Sequence, residues 1–100
     1  MTLVSERARG LAEVLVDPDV DPDALHLHIS EIGPGTAAHP PHTHAGVEAF
    51  YILEGHGTLA VGEKQYALGP NQAAVLEATK HHGLTNTGDT PLRYIVIIRK

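Results

Sequence analysis

Apolar and polar residues alternate along much of the chain, in short runs that turn residues separate. Residues 25–32 place Leu25, Leu27 and Ile29 between polar side chains, which is the period-two pattern of a strand with two unlike faces. Residues 47–53, VEAFYIL, are rich in aromatic and β-branched residues and are followed by the turn EGHG, as expected for a hairpin. The same pattern predicts further short strands at residues 58–61, 64–68, 73–76 and 92–98. Many short strands and little helix indicate an all-β domain, either a sandwich or a closed barrel.

The first 24 residues differ from the rest of the chain. Residues 5–15 carry one weak helical pattern, in which Ser5 could act as the cap, but a strand or an irregular extended segment is favoured. Residues 17–22, DPDVDP, predict a turn or short loop. We therefore expect a single domain made of an N-terminal arm, residues 1–24, which could exchange a strand with a partner's sheet, and a barrel, residues 25–100.

Composition narrows the possible functions. A chain of 100 residues has room for one core, and the absence of cysteine excludes disulfides, thiolate metal sites and cysteine nucleophiles. Twelve acidic residues against seven basic ones give a formal charge of −5, which opposes binding to nucleic acid and to anionic membranes. The sequence shows neither a signal-peptide core nor an apolar run long enough to span a bilayer. We therefore expect a cytoplasmic protein.

Histidine carries most of the candidate chemistry. Of the eight histidines, His42 and His44 share parity with Glu48, so an extended segment would project all three side chains from one face. Phe50 and Ile52 continue that face and mark it as interior. A buried carboxylate costs several kcal/mol unless it takes up a proton or has a cation beside it. Imidazole and carboxylate together suit a divalent Zn, Cu, Fe, Ni or Mn ion, so we expect a metal site here.

Other histidines are weighed in the same way. A fourth ligand would come from a neighbouring strand, and His82 is the favoured candidate, with His81 as its competitor. The pair His26 and His28 has its nearest carboxylate, Glu31, at the opposite parity. We therefore expect this pair to form an outward polar face, or to line the mouth of a barrel, rather than to bind a second metal.

Two segments resemble the conserved motifs of the cupin superfamily. The first motif is matched with its usual spacing, except that the first gap is one residue longer; its residues here are Gly35, His42, His44, Glu48 and Gly55. The second motif is matched at His82 and Asn86 only. It departs at three positions, where the family has proline or glycine and this chain has Glu77, Thr79 and Asn71. Asn71 is a mild change, because asparagine tolerates the left-handed backbone of a glycine turn.

The resemblance covers roughly residues 25–98 and implies three properties. They are a jelly-roll antiparallel β-barrel, frequent homodimerisation, and one divalent transition metal held by His42, His44, Glu48 and His82. Barrels of this kind carry many activities, so function has to be argued from the site. We expect a metal-dependent enzyme on a small-molecule substrate, with Glu48 as a possible base, and favour a dioxygenase-like oxidoreductase from the resemblance. A lyase, an isomerase, a non-catalytic binding or sensing module and a purely structural metal are the alternatives.

Overall fold

The computed structural model of the chain describes residues 4–8, 11–37 and 43–100. Within these ranges, no helix is long and apolar enough to cross a membrane. The same ranges contain nine β-strands: β1 (Val4–Ala8), β2 (Ala12–Val16), β3 (Leu25–Ile32), β4 (Val47–Glu54), β5 (Gly57–Val61), β6 (Lys64–Leu68), β7 (Ala73–Glu77), β8 (His82–Asn86) and β9 (Leu92–Arg99).

The strands form the jelly-roll arrangement that the sequence predicted. One antiparallel sheet has four strands in the order β3-β9-β4-β7, a second has three in the order β6-β5-β8, and β1 pairs only with β2. Strand β8 covers a segment that was not among the strands predicted from the sequence. Its residues, HGLTN, include glycine and asparagine, which strands disfavour, and pairing with β5 along its whole length imposes the strand conformation.

The core lies between the two sheets. Phe50 and Ile52 on β4 are buried with Val96 on β9, and they belong to one apolar cluster with Leu59 and Leu84 of the three-stranded sheet. Each such side chain contributes about 1.5–3 kcal/mol when it is fully removed from water. The predicted interior face of β4 is therefore confirmed.

The N-terminal arm is a β-hairpin rather than a helix. Strands β1 and β2 pair in register from Val4 opposite Val16 to Ala8 opposite Ala12. The Arg93 guanidinium on β9 donates a hydrogen bond from Nη2 to the carbonyl of Leu11 at 2.7 Å, which ties the hairpin to the barrel. Exchange of this arm with a partner stays a prediction.

Strand β3 shows which of its two faces is interior. Ser30 and Ile32 are buried, so the face they share with His26 and His28 turns towards the core. Leu25 and Leu27, on the other face, remain exposed. His26 is nevertheless exposed and His28 is half-buried, so both expectations for the histidine pair stay predictions. The sequence pattern does not distinguish the inner from the outer face of β3, because both faces of this sheet carry apolar residues.

Candidate metal centre

Glu48 is held inside the barrel by its place on β4. It is the second residue of that strand, points to the same side as Phe50 and Ile52, and is only 4% exposed. Its neighbours in register are Ile98 on β9 and Leu76 on β7, so its carboxylate has apolar side chains on both sides. A carboxylate in such surroundings requires compensation of its charge.

His44 reaches Glu48 from a loop and not from the strand itself. Strand β4 begins only at Val47, and the preceding Gly46 has a φ of +99°. The segment from His44 to Glu48 is therefore not one extended strand, contrary to the expectation. The two side chains still meet, because His44 Nε2 lies 3.0 Å from Glu48 Oε2. Two backbone hydrogen bonds position the loop, from His44 N to Ala78 O and from Ala78 N to Gly46 O, each 2.9 Å.

Only glycine suits position 46. A φ of +99° is a backbone conformation that residues with a Cβ rarely adopt. A Cβ built on Gly46 would also collide with the carbonyl oxygen of Arg99 at the end of β9. The close approach of these two backbones therefore sets the path of the loop that carries His44.

His82 comes to the same carboxylate from the opposite sheet. It is the first residue of β8, is completely buried, and places Nε2 at 2.6 Å from Glu48 Oε2. Its competitor in the sequence, His81, is exposed. Because successive residues at the start of a strand point to opposite faces, only one of the two can turn inward. The structure brings His82 to Glu48.

The two imidazoles have matching hydrogen bonds on their other ring nitrogen. His82 Nδ1 lies 2.7 Å from the carbonyl oxygen of Lys80, and His44 Nδ1 lies 3.1 Å from that of Ala45. A carbonyl only accepts, so each Nδ1 carries the proton, and in a neutral ring Nε2 then presents a lone pair. In neutral rings both lone pairs face one carboxylate, which is repulsive, and either a proton on one of these groups or a cation shared among the three removes the repulsion.

The donor atoms of His44, Glu48 and His82 all lie within 4.8 Å of one another. The His44 and His82 rings meet edge to face, with their centroids 5.2 Å apart. Two neutral imidazoles and a carboxylate suit a divalent transition metal. Hydrogen bonds from the outer ring nitrogens to backbone carbonyls are the usual way in which such ligands are oriented.

The remaining histidines divide into two groups. His42, the fourth expected ligand, and His39 lie outside the described residues. His56 is exposed in the turn after β4. The carbonyl of Lys80, which orients His82, was missed by sequence reasoning, because a backbone group leaves no signature in residue type.

A solvent-open cavity of about 490 Å³ is lined by strand neighbours of the three-residue cluster, though not by His44, Glu48 or His82 themselves. Its lining includes Leu76, the register partner of Glu48, and Val61, the register partner of His82, with Tyr66 and Lys80 further along. The volume falls in the range of small-molecule sites, roughly 300–1,000 Å³. Sequence analysis saw Leu76 and Val61 only as strand residues, since nothing in an apolar side chain distinguishes a cavity wall from a core.

Comparison with known proteins was made at the level of families and of structures. Residues 28–98 match the family model for the cupin domain. No curated protein sequence matches the chain. The matching segment contains β4, β8 and all three residues of the cluster.

Several solved structures are similar. A cupin protein from Bacteroides fragilis has a TM-score of 0.71 at 18% identity, over 77% of this chain and 66% of its own. A predicted oxalate decarboxylase from Thermotoga maritima has a TM-score of 0.71 at 24% identity, over 98% and 91%. A putative sugar phosphate isomerase from Acidithiobacillus ferrooxidans has a TM-score of 0.69 at 29% identity, over 77% and 51%. The chain thus spans about two thirds, nine tenths and half of these proteins, and the likeness establishes the fold.

Proposed function

Because this chain belongs to the cupin domain family, we propose that it is a metal-dependent enzyme acting on a small-molecule substrate. The observation that carries the proposal is the convergence of His44, Glu48 and His82 beside an open cavity. The likeness to a predicted oxalate decarboxylase and a putative sugar phosphate isomerase is compatible with small-molecule chemistry in a barrel of this shape.

The metal would be held by His44, Glu48 and His82, together with His42 from the first cupin motif. Its identity is open among Fe, Mn, Ni, Cu and Zn, because sites rich in imidazole follow the general affinity order. A bound divalent metal would supply Lewis acidity and, with some ions, redox chemistry at this position. The chain's own contribution is orientation, since the carbonyls of Lys80 and Ala45 fix the rings and β4 fixes the carboxylate.

The cavity favours catalysis over a purely structural metal. A structural site is closed by protein on all sides, whereas catalytic sites keep open positions towards a substrate space. Here the lining of a cavity of about 490 Å³ includes one strand neighbour of Glu48, Leu76, and one of His82, Val61. Glu48 can also serve as a proton acceptor for a substrate in that space if it leaves the metal, because it is the carboxylate of the cluster.

For the reaction class we propose a dioxygenase-like oxidation, on the basis of the family resemblance. A lyase or an isomerase would use the same site, so the reaction has to be measured. We further propose that the protein acts in the cytoplasm.

The test begins with elemental analysis of untagged protein. The metal-free chain is then reconstituted separately with Fe(II), Mn(II), Ni(II), Cu(II) and Zn(II), and each form is incubated with a metabolite mixture while O₂ uptake and product masses are followed. Metal-dependent loss of a substrate together with O₂ uptake would support the oxidation. Loss of a substrate without O₂ uptake would indicate a lyase or an isomerase instead. Stoichiometric metal with no conversion in any form would contradict catalysis, and no metal binding would contradict the whole proposal.

A further inference from the structure

The histidine pair on β3 lies on the same sheet face as the metal cluster. In the register of the four-stranded sheet, His26 is opposite Ile98 on β9, and Ile98 is opposite Glu48 on β4. Neighbouring strands are about 4.8 Å apart, so the backbones of His26 and Glu48 are roughly 10 Å apart. His28, the next residue on this face, has its ring centroid 4.9 Å from that of His26.

The residues His26, Ile98 and Glu48 form a row across β3, β9 and β4. A cleft opens at the β3 end of this row. It measures about 270 Å³ and is lined by Pro22, Asp23, His26, Ile98 and Lys100. Ile98 is thus both a wall of the cleft and the residue next to Glu48. Two of the lining side chains, His26 and Lys100, carry nitrogen donors, against the single carboxylate of Asp23.

The two sides of Glu48 differ in chemistry. Towards β7, the row continues to Leu76 and the cavity described above, whose wall near the cluster is apolar. Towards β3, it passes Ile98 and reaches imidazoles, with an amine at the rim. Exposed imidazole and amine groups that line one cleft favour an anionic oxygen group as their partner.

We propose that His26, which lines this cleft, forms with the adjacent ring of His28 and with the exposed Lys100 at the rim a subsite for the carboxylate or phosphate group of the substrate. This inference rests on the proposed function, since the subsite gives that enzyme its substrate class: a small anionic molecule. His26 and His28 position the substrate and do not ligate the metal.

Titration of the full-length protein with acetate and with inorganic phosphate, at constant ionic strength, tests the subsite. Imidazole resonances are followed by NMR in the metal-free and zinc-loaded forms, and elemental analysis records zinc occupancy. The variants are the double substitution His26→Gln with His28→Gln, the single substitution Lys100→Gln, and His56→Gln as a control at an exposed histidine in a turn.

We expect at least one anion to shift the His26 and His28 resonances of the unsubstituted protein, also in the metal-free form. Binding should weaken about tenfold or more in the double variant and remain unchanged in the control, with zinc occupancy the same throughout. The anion that binds more tightly decides between a carboxylate and a phosphate substrate. Lys100→Gln should weaken the same anion to a smaller extent, because the amine lies at the rim.

Three results would overturn the inference. They are the absence of shifts at His26 and His28 with both anions, unchanged affinity in the double variant, and loss of zinc from that variant, which would make these residues metal ligands. Failure of the zinc-loading step in the unsubstituted protein would instead contradict the proposed function. Anion binding to the metal-free form is measured independently of that step, so the two failures are distinguishable. Because the shifts are read in the unsubstituted chain, the test does not depend on the variants folding.

Discussion

At the scale of single residues, Glu48 determines what this site can be. Its carboxylate is 4% exposed and has an imidazole Nε2 at 3.0 Å on one side and another at 2.6 Å on the other. Removing an ion from water costs several kcal/mol even after relaxation. A divalent cation shared by the three groups offsets that cost and also separates the lone pairs that face one another. The geometry therefore suits a shared divalent cation.

The first prediction concerns His44. Replacement of His44 by alanine removes one donor of three that lie within 4.8 Å, and we expect stoichiometric metal binding to be lost while the β fold is retained. Metal content by elemental analysis and far-UV circular dichroism measure the two effects. His81→Ala is the matched control, because His81 is exposed and should leave occupancy unchanged. Full occupancy in the His44 variant would show that the ligand set is wrong.

The second prediction concerns Gly46. An alanine there would have to adopt a φ of +99° and would also collide with the backbone of Arg99, so we expect Gly46→Ala to lower the free energy of unfolding by about 2–4 kcal/mol. Gly62→Ala is the control, since Gly62 also has a positive φ, +59°, but open space around it. We expect a loss of about 1 kcal/mol there. Urea denaturation measures both, and equal losses would contradict the close approach of the two backbones.

At the scale of elements, strand β8 joins the metal centre to the rest of the barrel. His82 begins it and Asn86 ends it, and both are completely buried. The Asn86 amide donates to the carbonyls of Ile32, at 2.9 Å, and Thr90, at 2.8 Å, while its Oδ1 accepts from the backbone N–H of Gly88 at 3.0 Å. Asn86 thereby fixes β8 against the end of β3 and against the turn before β9.

This role gives a third prediction. Asn86→Ala leaves the buried carbonyl of Ile32, the part-buried carbonyl of Thr90 and the N–H of Gly88 without that partner, so we expect a loss of about 2–4 kcal/mol in the free energy of unfolding. Thr87→Ala is the control: its hydroxyl makes an exposed hydrogen bond with Thr58, and its removal should cost less than about 1 kcal/mol. Chemical denaturation of both variants tests this. If Asn86→Ala lowers the free energy of unfolding no more than Thr87→Ala does, Asn86 does not fix β8 in this way.

At the scale of the whole molecule, the outer face of the four-stranded sheet is apolar and exposed. Leu27, Ile97, Ala49 and Val75 lie side by side across the four strands, and Val75 is 72% exposed. The neighbouring rows add further apolar side chains: Leu25, Ile29, Val47, Tyr51 and Ile95. We propose that a second copy of the chain covers this face.

Charge at the edge of this face is compatible with a two-fold dimer. The row that begins with Leu25 also contains Arg99 on β9 and Glu77 on β7, so a symmetric partner can place each of these charges opposite the other. A stable interface buries about 800 Å² on each partner, which is the scale of a four-stranded sheet face. Apolar contact would then supply the affinity, and the edge charges would supply the orientation.

The fourth prediction follows from this interface. We expect the protein to sediment as a dimer and Val75→Glu to shift it to a monomer at the same concentration, because an unpaired carboxylate within the interface has to be desolvated. Gln65→Glu, at an exposed position on β6 of the other sheet, is the control with the same change in charge. Sedimentation velocity distinguishes the species. A monomeric unsubstituted protein, or a dimeric Val75 variant, would contradict the assignment.

Much of the barrel was predictable from the sequence because strand periodicity is a local property. Strand β3 was predicted with the bounds it has, β4 and β9 to within one residue, and the interior face of β4 follows from alternation alone. The left-handed backbone expected at Asn71 is confirmed, with a φ of 64°. The sequence missed β8, since its residues form a strand only when β5 pairs with them.

The sequence by itself determined the all-β class, the family and the residue types of the candidate site, because spacing and periodicity can be read from neighbouring positions. Only the tertiary structure decided that His44 reaches Glu48 around a glycine bend, that His82 rather than His81 turns inward, and that the inner face of β3 carries its histidines. Those outcomes depend on which strands pair and which side of a sheet is covered. They are set by contacts between segments far apart in the chain, and such contacts leave no local pattern.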